Sequence, residues 1–131
     1  ALTATATGAA DQPILNRPAD SLDWQTTAEG VAFAALSGDR FREAYMAMVR
    51  LPAGLVSPPH TKSANMFGVV VSGTLVHQPH GQGSAVETRL PAGSFYKIPA
   101  HLPHVSKCVS ETECVTFLYQ DGSFDFLPVD P

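Results

Sequence analysis

Short hydrophobic segments rich in β-branched and aromatic residues recur along most of the chain, and Gly, Pro, Ser and Asp separate them. Many short strands divided by frequent turn residues favour an all-β sandwich or barrel over a helical or α/β fold. The predicted strands are Val31–Leu36, Tyr45–Leu51, Met66–Val71, Thr74–His77, Val86–Leu90, Phe95–Ile98, Val105–Cys108, Cys114–Tyr119 and Phe124–Leu127.

One segment, "GDRFREAYMAMVR", allows two interpretations. Residues 41–44 have the composition of a helix start, whereas Tyr45, Ala47 and Val49 alternate with other residues as the buried positions of a strand do. We predict a strand here, because the alternation continues to the end of the segment.

Length and composition restrict the class of protein. A chain of 131 residues without a repeat or an internal linker suits one domain, which we assign to residues 13–131. The net charge is −4, and no cluster of Lys and Arg occurs, which argues against a nucleic-acid partner. No apolar run approaches the roughly 18 residues that a membrane-spanning helix needs, so we expect no membrane partner.

Residues 1–12 differ from the rest of the chain in being small and mostly apolar, with the sequence ALTATATGAADQ. Small residues of this kind precede the cleavage site of a secretory signal, and a flexible Ala/Thr leader has the same composition. The first interpretation places the protein in the periplasm or outside the cell, and the second leaves a cytoplasmic location open.

The two cysteines flank the polar segment "VSETE" between two predicted strands. A hairpin turn at residues 110–113 would bring Cys108 and Cys114 opposite one another, and an oxidising compartment would allow a disulfide. The alternative is a pair of buried thiols in neighbouring strands, which is common for free cysteine.

Two spaced motifs suggest a family. In "GLVSPPHTKSANMFGVVVSG" and "GSFYKIPAHLPHVSKC" the glycine, proline and histidine spacing resembles the two signature motifs of the cupin superfamily, and the chain is similar to bacterial single-domain cupin-like proteins. The resemblance implies a jelly-roll barrel of two antiparallel sheets, a small-molecule pocket inside it and a homodimer. The matching positions are Gly54, His60, Lys62, Met66, Gly73, Gly93, Pro99, His101, His104 and Cys108.

The metal-ligand positions of the family are only partly kept. The resemblance assigns metal binding to two His and a Glu in the first motif and to a His in the second, and these positions here hold His60, Lys62, Met66 and His104. A protonated Lys is repelled by a divalent cation, and a thioether suits Cu(I) better than Zn²⁺ or Fe²⁺. The family's standard centre is therefore absent, and two histidines remain.

A third histidine offers a replacement. His77 follows the first motif, on the strand face that the family patterning turns inward. His60, His77 and His104 together would form a three-nitrogen site for Zn²⁺, Fe²⁺ or Ni²⁺ with an open position. The alternatives are that His77 is hydrogen-bonded to water or a carbonyl, and that no metal is bound.

Lys62 is the most unusual candidate, because an ammonium inside an apolar barrel is costly unless it is paired, reaches solvent or has a lowered pKa. It has three interpretations: a catalytic base or Schiff-base amine, an anchor for an anionic ligand, or a side chain that extends to water at the barrel rim. We predict that Lys62, Met66, Tyr96 and His101 line the ligand pocket.

Two functions from different classes follow. The first is a metal-dependent enzyme acting on a small molecule at His60, His104 and His77. The second is a metal-free domain that binds or senses a small ligand through Lys62 and the histidines. The sequence leaves open whether the protein is an enzyme, because the cupin fold supports many unrelated functions.

Overall fold

The structure, a computed structural model, describes residues 12–81 and 86–131. The predicted leader falls almost entirely on residues 1–11, which lie outside the described residues. Within the described part, no helix is long and apolar enough to cross a membrane. The elements are a 3₁₀ turn at Ala19–Ser21 and the strands β1 Trp24–Thr26, β2 Ala32–Ser37, β3 Tyr45–Leu51, β4 His60–Thr61, β5 Met66–Ser72, β6 Leu75–Pro79, β7 Phe95–Ile98, β8 His104–Cys108, β9 Cys114–Gln120 and β10 Leu127–Pro128.

The strands form two antiparallel sheets, which confirms the predicted all-β jelly-roll. The larger sheet has the order β1-β2-β3-β9-β5-β7, and the smaller sheet has the order β10-β4-β8-β6. From β3 onward, strands that follow one another in sequence, such as β5 and β6, alternate between the sheets, which is how a jelly-roll closes around its interior. His60 and His104, one from each sequence motif, lie on the smaller sheet.

The core lies between the sheets because each long strand of the larger sheet turns alternate residues inward. In β9 the buried residues are Cys114, Thr116, Leu118 and Gln120, and the residues between them are partly exposed. This period of two matches strands that are buried on one face only.

The sequence prediction located most strands and failed at four places. The strand at Tyr45–Leu51 is confirmed, and residues 40–42 form a turn instead of a helix. Val86–Leu90 was wrong as a strand, since only Leu90 makes an isolated bridge, to Leu75. Phe124–Leu127 was also wrong except at its last residue, and the short strands β1 and β4 were not predicted.

A disulfide joins Cys108 at the end of β8 to Cys114 at the start of β9, as one of the two interpretations predicted, although the two strands do not pair as a hairpin. Because β8 belongs to the smaller sheet and β9 to the larger one, the bond ties the two sheets together at this end of the barrel. Both cysteine side chains are buried.

We expect reduction of this disulfide to lower the free energy of unfolding by about 2 kcal/mol, because the closed loop is short and removes little entropy from the unfolded chain. Urea denaturation with and without reductant measures the effect. The double variant Cys108→Ala/Cys114→Ala is the control and should not respond to reductant. Identical curves for the wild type under both conditions would contradict the prediction.

Candidate functional site

Three neighbouring strands bring the histidines together on the inner face of the smaller sheet. His60 on β4 pairs directly with His104 on β8, and their ring centres lie 4.3 Å apart. His77 on β6 pairs with Ser106, which lies two residues from His104 on the same side of β8. The register thus places the three predicted ligand histidines on one face.

Backbone carbonyls fix the tautomers of two of these rings. The Nδ1 atom of His60 lies 2.9 Å from the carbonyl oxygen of Pro58, and the Nδ1 atom of His104 lies 2.9 Å from that of Leu102. Because a carbonyl only accepts hydrogen bonds, each Nδ1 carries the hydrogen and donates it. In the neutral ring, Nε2 is then left with a free lone pair.

Two of the Nε2 atoms are buried without a hydrogen-bond partner among the described residues, those of His77 and His104. The Nδ1 atom of His77 lies 2.8 Å from the hydroxyl of Ser106. A buried polar atom that lacks a partner costs about 1–3 kcal/mol, so two of them on one face indicate a place where a bound group would be stabilised.

All three histidines are neutral at pH 7. Burial lowers the pKa of His60 to about 4, and the charges of His104 and Lys62 add to the effect, while the hydrogen bond to Pro58 opposes it. Burial, with the charges of His104 and His60, lowers the pKa of His77 to about 3. The pKa of His104 is lowered as well, mainly by burial. The site therefore presents lone pairs rather than positive imidazoles.

Lys62 is buried, with 5% of its surface exposed, so the interpretation that it extends to water at the rim was wrong. Its ammonium lies 4.1 Å from the ring centre of Phe124 and 5.5 Å from that of Phe126. No carboxylate of the described residues comes within salt-bridge distance of it. Burial lowers the pKa of Lys62 to about 8, and the charge of Asp125 partly offsets this. The aromatic faces thus stabilise a cation that water does not reach.

The chain segment after β9 supplies these aromatic rings and covers the first motif. Phe126 stacks on His60 with ring centres 4.1 Å apart. Asp125 accepts a hydrogen bond of 2.9 Å from the backbone N–H of Ser63. Strand β10 then pairs with β4. We predicted a strand at Phe124–Leu127 and did not predict that this segment covers the first motif. The sequence signal for such a cover is weak, because it consists only of two aromatic residues in a polar segment.

Tyr96 and Met66 both belong to the hydrophobic core cluster, and Tyr96 also contacts His77. The ring centre of Tyr96 lies 4.1 Å from that of His77, and its hydroxyl is hydrogen-bonded to that of Thr116 over 2.7 Å. Burial raises the pKa of Tyr96 to about 12. Gly68 leaves room for the ring, because a Cβ there would lie 2.1 Å from Cζ of Tyr96. Met66 is buried in the main core cluster.

The sequence analysis also missed a buried polar pair in the larger sheet. The hydroxyl of Tyr45 donates to the side-chain oxygen of Gln120, and Gln120 is fully buried. Burial raises the pKa of Tyr45. The Nε2 atom of Gln120 has no hydrogen-bond partner in the described part of the chain. No local pattern distinguishes this glutamine, because it meets Tyr45 only through the register of β3 and β9.

His101 lies outside the buried set, at an exposed turn, although we predicted it to line the pocket. Its backbone has φ = 68°, the left-handed region that favours glycine, and its N–H donates to the carbonyl of Lys62 over 2.8 Å. Its position in the second motif is the one where the cupin pattern has glycine. The residue therefore shapes the turn.

We expect His101→Gly to raise the free energy of unfolding by about 0.5–1 kcal/mol, because relief of left-handed strain exceeds the extra entropy of a glycine in the unfolded chain. His101→Ala removes the imidazole and keeps the strain, so it should show no gain. Urea denaturation of the three proteins measures the difference. Equal stabilities of the Gly and Ala variants would contradict this explanation.

The residues present do not fit the four-ligand metal centre of the cupin pattern. Among the described residues, no group of three or more His, Cys, Asp or Glu side chains is arranged to hold a metal ion. His60 and His104 keep two ligand positions, while a buried ammonium and a core thioether occupy the other two. Zn²⁺, Fe²⁺ or Ni²⁺ therefore remains an untested prediction.

Two antiparallel sheets closed around inward-facing histidines define this protein as a cupin. More narrowly, the ChrR cupin-like domain family matches residues 14–123, and the chain belongs to that family. No curated protein matches the chain.

Solved structures of other proteins share the fold. KdgF from Halomonas sp. is 22% identical with a TM-score of 0.63, over 79% of this chain and 92% of its own. The polyketide cyclase RemF from Streptomyces resistomycificus is 13% identical with a TM-score of 0.71, and the match covers 91% of this chain and 87% of RemF. A chain in the complex of Rhodobacter sphaeroides SigE with the anti-sigma ChrR is 21% identical with a TM-score of 0.63, and the match covers 80% of this chain and 52% of that one. At these identities the likeness concerns the fold alone.

Proposed function

We propose that the barrel interior binds a small polar ligand through Lys62, His77 and His104 without needing a metal. One observation carries the proposal: the buried Nε2 atoms of His77 and His104 have no hydrogen-bond partner in the described residues, close to a buried cation. A ligand that satisfies these groups would recover the free energy lost by leaving them unpaired.

The charges of the site restrict the chemistry of the ligand. His104 carries its hydrogen on Nδ1, so its Nε2 accepts a hydrogen bond, and the ligand needs an O–H or N–H donor. Lys62 donates, and when protonated it also attracts an anionic oxygen. Compounds that carry both a hydroxyl and a carbonyl or carboxylate, such as hydroxy acids and sugar acids, meet both requirements.

A thermal-shift panel of hydroxy acids, keto acids and sugar acids tests this proposal. At least one compound should raise the melting temperature of the wild type, and the shift should be lost in Lys62→Met and reduced in His104→Phe. His101→Ala, a change at the exposed turn, is the control and should retain the shift. A panel without any stabilising compound, or a compound that stabilises Lys62→Met equally, would contradict the proposal.

A metal-dependent enzyme is the second candidate, because the carbonyls of Pro58 and Leu102 orient His60 and His104 in the manner common for metal-bound histidine. His77 would be the third ligand. A bound Zn²⁺, Fe²⁺ or Ni²⁺ would act as a Lewis acid toward a substrate oxygen. The role of the chain itself is to hold the rings in one tautomer and to keep water away with Phe126.

Elemental analysis of protein purified without chelator or His-tag separates the two candidates. Stoichiometric metal that is lost in both His60→Ala and His104→Ala would establish the metal site. Only a trace amount of metal, unchanged in the variants and not increased by added Zn²⁺, Fe²⁺ or Ni²⁺, would contradict the metal site. The metal-free ligand site would then be the remaining candidate.

A homodimer through the outer face of the larger sheet is also proposed. One cross-strand row of this face consists of Met48, Phe117, Val69 and Phe95, of which Phe95 is 63% exposed. Strands β3, β5, β7 and β9 contain no Asp or Glu, and their charged residues are Arg50 and Lys97, so a second copy of this chain would bring no acidic repulsion to this face. A flat apolar face of this kind pairs well with its own copy.

Sedimentation of Val69→Glu tests the dimer, with Val86→Glu as the control at an exposed valine outside that face. The wild type and the control should sediment as dimers and Val69→Glu as a monomer. A monomeric wild type would overturn the proposal, as would a dimer that Val69→Glu leaves intact.

Export from the cytoplasm is proposed on the basis of the disulfide, since such bonds persist in oxidising compartments. Thiol alkylation in intact cells that express the full-length protein tests it. Cysteines protected from alkylation until reductant is added would support a periplasmic or secreted location, and freely alkylated cysteines would favour the cytoplasm.

A further inference from the structure

A cavity lies apart from Lys62 and the three histidines. It has a volume of about 310 Å³ and lies where the turn after β2 meets strands β1, β2 and β3. Part of its wall is the turn at residues 38–41, and Gln25, Ala35, Met46 and Ala47 complete much of the remainder. The volume is at the lower end of the range for small-molecule sites. No sequence motif pointed to this place.

Arg40 gives the cavity a positive charge. Its guanidinium lies 4.5 Å from the ring centre of Phe33 and 4.4 Å from that of Phe41. Its Nε atom is buried and has no hydrogen-bond partner, and no carboxylate within the described ranges lies at salt-bridge distance from Arg40. A buried N–H of a charged group without an acceptor is costly, so an acceptor from outside the chain would be stabilised there.

Two other polar side chains of the cavity wall, those of Asp39 and Tyr45, are already engaged. Asp39 accepts a hydrogen bond of 3.0 Å from the N–H of Phe41, and its second oxygen lies 3.8 Å from Nε of Arg42. The hydroxyl of Tyr45 donates to Gln120. Arg40 is thus the group in this cavity that can recognise a ligand by charge.

We propose that this cavity binds a small monocarboxylic acid with an apolar or aromatic body, and that Arg40 is its anchor. A guanidinium matches the planar, two-oxygen geometry of a carboxylate. Ala35, Met46 and the 65% exposed Phe41 provide apolar surface for the body of the ligand. The carboxylate of Asp39 in the same wall disfavours a second negative charge, so dianions and phosphates should bind more weakly.

The cavity wall contains neither Lys62 nor the three histidines, but Arg40 and Lys62 both approach the ring of Phe124, at 5.9 Å and 4.1 Å, so the test has to separate the two sites. Benzoate is the probe, and uncharged benzamide is its matched comparison. In a ¹H–¹⁵N NMR titration of the intact protein, benzoate should shift the amides of residues 38–41 and Gln25, and benzamide should not. Lys62→Met, which alters the barrel site, should leave these shifts unchanged.

Substitutions test the anchor itself. Arg40→Met should weaken benzoate binding at least about tenfold, the loss expected for a charge-assisted pair of hydrogen bonds. Arg42→Met is the control, since the side chain of Arg42 lies in the same turn and is 80% exposed. If Arg40→Met does not fold, Arg40→Lys keeps the charge, loses the fork of two donors and should still weaken binding.

Three outcomes would overturn the proposal: equal binding of benzoate and benzamide, shifts confined to residues around Lys62, or an affinity that Arg40→Met and Arg40→Lys leave unchanged. Shifts at the turn that require both the carboxylate and Arg40 would establish the site.

Discussion

Acidification from pH 6.5 to about 4 is expected to lower the free energy of unfolding by at least about 3 kcal/mol, because the buried histidines resist protonation. The pKa of His60 is about 4 and that of His77 about 3 in the folded protein, against 6.5 in an unfolded chain. Over this range the unfolded chain binds more protons than the folded protein does. The contribution of the neutral histidines to the free energy of unfolding is therefore complete above pH 6.5. It is lost as the pH falls toward the pKa values that the histidines have in the folded protein.

His104 lowers the pKa of His60, and both of these lower the pKa of His77, so the contributions of the rings do not add and the loss belongs to the cluster. Urea denaturation across this pH range measures it. His77→Phe removes one buried imidazole and fills its space beside Tyr96, so it should flatten the profile. His101→Asn, at the exposed turn, is the control and should keep the wild-type slope. A wild-type profile without slope, or a His77→Phe profile equal to it, would contradict the prediction.

Lys62→Met is expected to stabilise the protein at pH 7 by about 1–3 kcal/mol. The fall in the pKa of Lys62 from 10.5 to about 8 corresponds to roughly 3 kcal/mol of unfavourable burial of the charged form. The attraction of the ammonium to the ring of Phe124 offsets part of this, up to about 2 kcal/mol at a desolvated site. Methionine is of similar length and packs against the same rings without a charge.

The pH dependence of this gain identifies its cause. Because the folded pKa is the lower one, the wild type gains stability as the pH rises from about 8 to 10.5, and its deficit relative to Lys62→Met should shrink over that range. Lys97→Met is the control, since Lys97 is exposed and lies 5.4 Å from the ring centre of Phe67. If Lys62→Met were less stable than the wild type at pH 7, the ammonium would have to be satisfied by a partner in the folded protein.

A stabilising effect of Lys62→Met would also bear on function. Stability given up for a buried cation is typical of a binding site, where the charge is compensated only when the ligand arrives. The same variant should lose the ligand response of the barrel interior, so a gain in stability and a loss of binding would occur together.

The sequence by itself determined the fold class and the frame of the site. Segments of β-branched and aromatic residues divided by Gly and Pro indicated the strands, and Tyr45–Leu51 and Phe95–Ile98 were predicted with their observed bounds. These signals are local, because the period of two and the turn residues act within a few positions of the chain. The spacing of His60 and His104 located two histidines that the structure pairs directly.

The surroundings of those residues were decided only by the tertiary structure. Strand β4 has two residues and is held by β8 and β10 rather than by any pattern of its own. Phe124 contacts Lys62 and Phe126 stacks on His60. The residues of each pair are separated in sequence by more than half the length of the barrel domain. Contacts of this kind follow from strand register and sheet closure, which the local alternation of side chains does not encode. The sequence could therefore show that Lys62 replaces a ligand, and the fold was needed to show that aromatic rings, rather than water or a carboxylate, surround its charge.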